Sequence, residues 1–192
     1  MEIGDFILGF NTVDLLLIGF FALFFILGFA QGTIRRLIGI GSILFSFLFA
    51  ANLSAWLGAF LGDNWTQFSP EYGKMIGFLA VFVGGCVVFA ILAQGFYKPQ
   101  PLFEKARFVD EIIGGILGLI EAGLILLCFV VILDTFFRST GIPADPDELP
   151  YLRSIYDALN GSQIVITFRD TIIPAFMAVF SFMVPTPISD MY

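Results

Sequence analysis

Histidine is absent from the 192 residues. That removes Ser-His-Asp triads, imidazole proton shuttles and most zinc sites at once. Cysteine occurs only as Cys86 and Cys128, both inside apolar runs where a free thiol packs as a small hydrophobe, so neither a disulfide nor a metal site is expected. Charge is scarce. Only 13% of the residues are charged while 58% are hydrophobic, too little charge to cover a soluble domain of this length. The net charge of −7 leaves no basic stripe for nucleic acid or for peripheral lipid binding. No Walker A loop, no GxGxxG with a following acidic ribose ligand, no GxSxG and no metal-ligand cluster occurs. No cofactor, metal or catalytic residue is therefore assigned, and the 25 phenylalanines are read as lipid-facing or bundle-filling. The opening MEIGDFILGF holds Glu2 and Asp5 without a basic residue, so the first apolar run is expected to stay rather than be cleaved as a signal peptide.

What is present is a series of apolar runs long enough to cross a bilayer. Between Asp110/Glu111 and Asp134 lies one of roughly 20 residues, the length a helix needs to span about 30 Å of hydrocarbon. Three others precede it. The spacing predicts an all-α membrane protein with transmembrane helices over about 13–30, 37–61, 75–96 and 112–134, forming a domain over 1–137. Asn11 or Thr12 is the expected N-cap of the first helix, and Tyr97-Lys98-Pro99 stops the third. Trp56 and Trp65 stand where indole rings favour the membrane interface.

Orientation follows from the basic residues. Arg35, Arg36, Lys98, Lys105 and Arg107 flank one side, against Lys74 alone on the other. Because cytoplasmic loops retain Lys and Arg, both termini are expected to face away from the cytoplasm of a bacterial plasma (inner) membrane. Arg35 and Arg36 are read as topology determinants, with anionic lipid headgroups as their alternative partners.

Residues 138–192 differ in kind. An acidic, proline-bearing loop over 141–148 precedes a short helix over 149–159, with Leu152, Ile155, Tyr156 and Leu159 on one face and Asn160-Gly161 as its stop. Ser162 is a candidate cap for a further helix reaching about 184, broken by Arg169, Asp170 and Pro174. Its unbroken apolar part, about 14 residues from Thr171, is short for a span, so an amphipathic tail on the outer membrane face is expected, with a fifth crossing as the alternative.

Two constellations stand out. Gly28 and Gly32 form a GxxxG pair, Gly114 and Gly118 another that Ala122 extends, and Gly39, Ser42, Ser46 and Ala50 make a similar stripe. Small residues let helix backbones approach where lipid offers no hydrophobic drive. Packing within a four-helix bundle is the simpler reading; a homodimer seam is the other. The second is Glu121, on one helical face with Gly114, Gly118, Ile125 and Cys128. Counting from the helix ends places it level with Ser46, its expected hydrogen-bond partner. An ionised carboxylate there costs at least about 2.5 kcal/mol unless paired, so it serves either an ion or proton step or, protonated, as interhelical glue. Asp14 and Asp134, near helix ends, are expected to be solvated. A membrane-embedded hydrolase would need a third group to orient a base, and only Glu121 with Ser46 comes near that arrangement.

The chain resembles the colicin V production protein family of small bacterial inner-membrane proteins. The resemblance rests on Val13-Asp14 at the first helix, the Gly28-Phe29-Ala30-Gln31-Gly32 exit with Arg35 after it, and the segment from Val109-Asp110-Glu111 to Gly118-Leu119. Glu111 and Glu121 stand where basic residues are common in that family. The resemblance implies a multispanning protein linked to production or export of the toxin colicin V and to envelope physiology. It would be non-enzymatic and act through membrane or envelope proteins within the lipid bilayer.

Overall fold

The computed structural model describes residues 10–64, 69–96, 106–138 and 148–192. Trp65, Lys98, Lys105, the Tyr97-Lys98-Pro99 stop and most of the acidic loop lie outside them.

Four long helices dominate: α1 (Thr12–Gln31), α2 (Thr33–Asn64), α3 (Pro70–Phe96) and α4 (Arg107–Phe137). Each is longer than its apolar run, because polar residues continue a helix once it has left the hydrocarbon. Asn11 caps α1 in a reciprocal box with Asp14: the Asp14 amide donates to Asn11 Oδ1 at 3.0 Å, and the Asn11 amide to Asp14 Oδ2 at 2.9 Å. Gly32 (φ +77°) ends α1 in a conformation that L side chains avoid, and α2 starts at the next residue. Pro70 stands in the first turn of α3, where its missing N–H costs nothing, and Ser69 Oγ accepts from the Tyr72 amide. At the start of α4, Arg107 Nε donates to Glu111 Oε1 one turn on.

The helices pack in the order α1, α4, α2, α3, with α4 also touching α3. Half of the most apolar window of α4 is buried, against 11% for α1, which identifies α4 as the central element. Its two halves pack differently. Up to Gly118 its buried positions are Asp110, Gly114, Gly115 and Gly118; from Ala122 on they are mostly apolar side chains, including Leu126, Leu127, Val130, Val131 and Phe136. The apolar core therefore fills the second half of α4, with Phe47 of α2 and Tyr72, Met75 and Phe78 of α3. Side chains pointing away, such as Leu16, Ile26, Phe49 and Ile91, are left for lipid.

The tail consists of α5 (Pro150–Asn160), α6 (Gln163–Thr167), a π-helical turn (Phe168–Ile172), α7 (Ile173–Phe180) and α8 (Thr186–Ser189). Ser162 caps α6 through the Val165 amide. The π turn sits just before Pro174, which has no N–H for the regular ladder; Ile173 donates to Phe168, five residues back. Helix is thus continuous over Gln163–Phe180, 18 residues, and among the described residues five helices are long and apolar enough to cross a membrane where four were expected.

One face of this helix is packed on the bundle, while Ile166, Ile172 and Val179 are exposed. Val165, Ile173, Phe176 and Met177 are buried in the common core. Its neighbours change along its length: Phe168 meets Phe21 of α1, Phe176 meets Phe47 of α2, and Met183 O accepts from Asn52 Nδ2. Ser162 before it contacts Asp14 and Tyr192 beyond it contacts Asp134, so the tail begins and finishes at one end of the bundle. That docking face is not encoded in the local apolar length of the segment.

Candidate functional site

Where α1 crosses α4 there is room for backbone only. A Cβ on Gly114 would stand 3.0 Å from Gly32 Cα, and one on Gly118 3.3 Å from Gly28 Cα. The two GxxxG patterns therefore face each other within one chain. Below them, Thr33 Oγ1 donates to Asp110 O at 3.1 Å, tying the start of α2 to α4.

This close approach brings two charged side chains together inside the bundle. Arg36 of α2 donates through Nη1 to Glu121 Oε2 of α4, and the side chains are 6% and 13% exposed. The Arg36 guanidinium also lies 5.5 Å from the centre of the Phe24 ring of α1. Gly39 makes space for the carboxyl group: a Cβ there would lie 3.0 Å from Glu121 Cδ. Ser46, expected as the partner of Glu121, is not. Its Oγ is buried, faces Gly85 of α3 and lies in reach of the Cys86 thiol. The two helices do not start at one level: Glu121 lies 14 positions into α4, yet it meets Gly39, six positions into α2, so equal counting from the ends overshoots on α2. Ser42 Oγ returns to Ile38 O at 2.7 Å, and Ala122 is buried in the α4 packing.

Arg36 is accordingly more than a topology residue. Its neighbour Arg35 is exposed. Both line a groove of about 800 Å³ with Leu27 and Gln31 of α1, Val83, Val87 and Ala90 of α3, and Glu121. The groove lies between α1 and α3, which do not pack along each other.

At the opposite end a second polar cluster binds the tail. Asp134, fully buried, receives Arg169 Nε at 3.0 Å, Arg169 Nη2 at 2.7 Å and the Tyr192 hydroxyl at 2.6 Å. Arg169 also donates to Asn160 and stacks over the Tyr156 ring. Burial and the charge of Asp134 push the phenols of Tyr156 and Tyr192 up, Tyr192 far up. Asp14, likewise fully buried, accepts from Ser162 Oγ at 2.6 Å and from the Ile164 amide at 3.0 Å. Neither aspartate is solvated as expected: the tail covers both. The sequence signal for the missed cluster was Arg169 itself, a cation in an apolar segment that requires a buried acid. The signal for Arg36 was its helical phase, one turn before Gly39 and in line with Ile43 and Phe47.

Among the described residues no group of three acidic, cysteine or histidine side chains is placed to hold a metal. Apolar helices of spanning length around a seam of glycines and a buried ion pair define a multi-pass membrane protein. The colicin V production protein family matches residues 13–167, and the chain belongs to it. A relative is the colicin V production protein homolog of Haemophilus influenzae, 26% identical over 154 residues, spanning 76% of this chain and 88% of the relative. No solved structure matches.

Proposed function

We propose that this chain is an inner-membrane factor of colicin V production that works by holding or recruiting other envelope proteins, without a catalytic step of its own. Family membership carries the reading. The disposition of the polar side chains supports it: Asp14, Asp134, Arg169 and Glu148 are each spent on tying the tail to the bundle or to itself. Both termini face away from the cytoplasm in this proposal, with Arg35 and Arg107 on the cytoplasmic side. With the glycines of its two GxxxG pairs occupied inside the chain, association with partners or with a second copy uses the lipid-facing surfaces instead. The test is complementation of toxin production in a strain lacking the protein. Under this reading the paired substitution of Arg36→Leu with Glu121→Leu, which strands neither charge, retains function.

A second reading is favoured by one observation, the position of the Arg36–Glu121 pair at the wall of a groove. A small proton- or cation-coupled transporter would use Glu121 as its exchangeable acid. It requires that the same paired substitution abolish function while insertion is normal, and that proteoliposomes show a flux which the variant lacks.

A further inference from the structure

The groove between α1 and α3 has one apolar flank and one cationic end. Val83 and Val87 of α3 line it, yet each is about half exposed, so it is open sideways to the surroundings of the bundle. In a membrane protein those surroundings are acyl chains. Leu27 and Ala90 continue the apolar wall, and Arg35 stands exposed at the end of the groove near the start of α2. Among the described residues Arg35 has no ion-pair partner, whereas Arg36 behind it is held by Glu121. The Arg36 Nε, buried on the wall, has no hydrogen-bond partner, an unused donor in a place where leaving one unmade is costly.

A volume of about 800 Å³ is within the range that holds a bound small molecule. The charge pattern selects which kind. A neutral apolar chain would satisfy the valines and leave Arg35 without a counter-ion, and a free anion would satisfy Arg35 and leave the valines uncovered. We propose that this groove is a binding site for one anionic phospholipid, with an acyl chain along Val83, Val87 and Leu27 and its phosphate at Arg35. Lysine and arginine at the cytoplasmic membrane surface attract anionic headgroups in general. Here a shaped apolar slot beside the arginine makes the attraction a site of defined stoichiometry. The inference rests on the membrane setting and the groove, and it holds or fails independently of any role in toxin production.

Native mass spectrometry of the full chain purified in detergent tests it, with phosphatidylglycerol, phosphatidylcholine of the same acyl chains, and glycerol phosphate as probes. One phosphatidylglycerol per chain is expected, retained about tenfold more tightly than phosphatidylcholine, the effect of one charge-assisted contact. Glycerol phosphate, lacking the chains, does not displace it. Arg35→Gln removes the preference between the two lipids, and Val87→Trp, which fills the groove from its exposed side, removes retention of both. Ala90→Phe gives the same block if Val87→Trp does not fold. Equal retention of the two lipids by the native chain overturns the proposal and leaves the groove to a protein segment. Displacement by glycerol phosphate overturns it in favour of a soluble phosphate compound, and retention unchanged by either block places the lipid elsewhere on the bundle.

Discussion

Arg36 and Glu121, 85 positions apart in the chain, meet as a buried ion pair at the contact of α2 with α4. Neither charge could reside there alone. Desolvating either one costs several kcal/mol, of the order of the attraction that the pair regains. The pair thus serves registration more than net stability: it is satisfied at one offset of α2 against α4, where Gly39 leaves room for the carboxyl group.

Removing one member should therefore cost more than removing both. Arg36→Leu or Glu121→Leu is expected to lower stability by about 3 kcal/mol, since each leaves an uncompensated buried charge, and the double substitution should recover most of it. Unfolding in mixed micelles, followed by tryptophan fluorescence, measures the cycle. If the single losses simply add, the two residues do not interact in the folded protein.

The α1–α4 seam should tolerate no side chain. Gly114→Ala or Gly118→Ala forces atoms against the α1 backbone, with an expected loss of about 1–3 kcal/mol or misassembly. Gly19→Ala, in the same helix pair but with nothing near its Cβ, should be silent. Expression and thermal aggregation of the variants separate the cases; a damaging Gly19→Ala would mean that its outward face is covered.

Tyr192 predicts a pH dependence. Burial first, and the Asp134 charge second, hold its phenol far above the ordinary value of about 10. In the unfolded chain the phenol ionises near that value while the folded one stays neutral. The stabilisation is then complete below about pH 10 and is lost as the pH rises beyond it. Unfolding midpoints measured across that window should fall less steeply for Tyr192→Phe. A residual slope is expected from Tyr156, whose phenol is raised by the same two causes.

The tail should begin and end on one side of the membrane. Single cysteines at Asn160 and Ser189, in a chain with Cys86 and Cys128 replaced by alanine, should both react with an impermeant maleimide from outside intact cells. Reaction of the two from opposite sides would show that Gln163–Phe180 crosses the bilayer. Arg169→Leu should also loosen the tail, because it strands the buried Asp134 carboxylate.

The glycine seam and the presence of an acid inside α4 could be read from residue spacing, since helical periodicity alone sets which positions share a face. The partner of that acid could not. Ser46 is level with Glu121 only if α2 and α4 start at one level, and α4 starts about two turns earlier. The actual crossing brings up Arg36, which a loop-charge rule had assigned to topology. Asp14 and Asp134 show the same limit: both stand near helix ends, but burial depends on what returns to cover them, here Ser162 and Arg169 from a segment 148 and 35 positions away.

The sequence by itself determined the class of protein, the four long helices and their order, and the positions where backbones can touch. Those properties follow from hydrocarbon thickness and from the 3.6-residue period, both local. Tertiary structure alone decided the pairing of charges and the fate of the tail. A buried charge is tolerated only where a distant opposite charge is delivered to it, and an apolar tail goes to the membrane surface or the core according to the space that other helices leave.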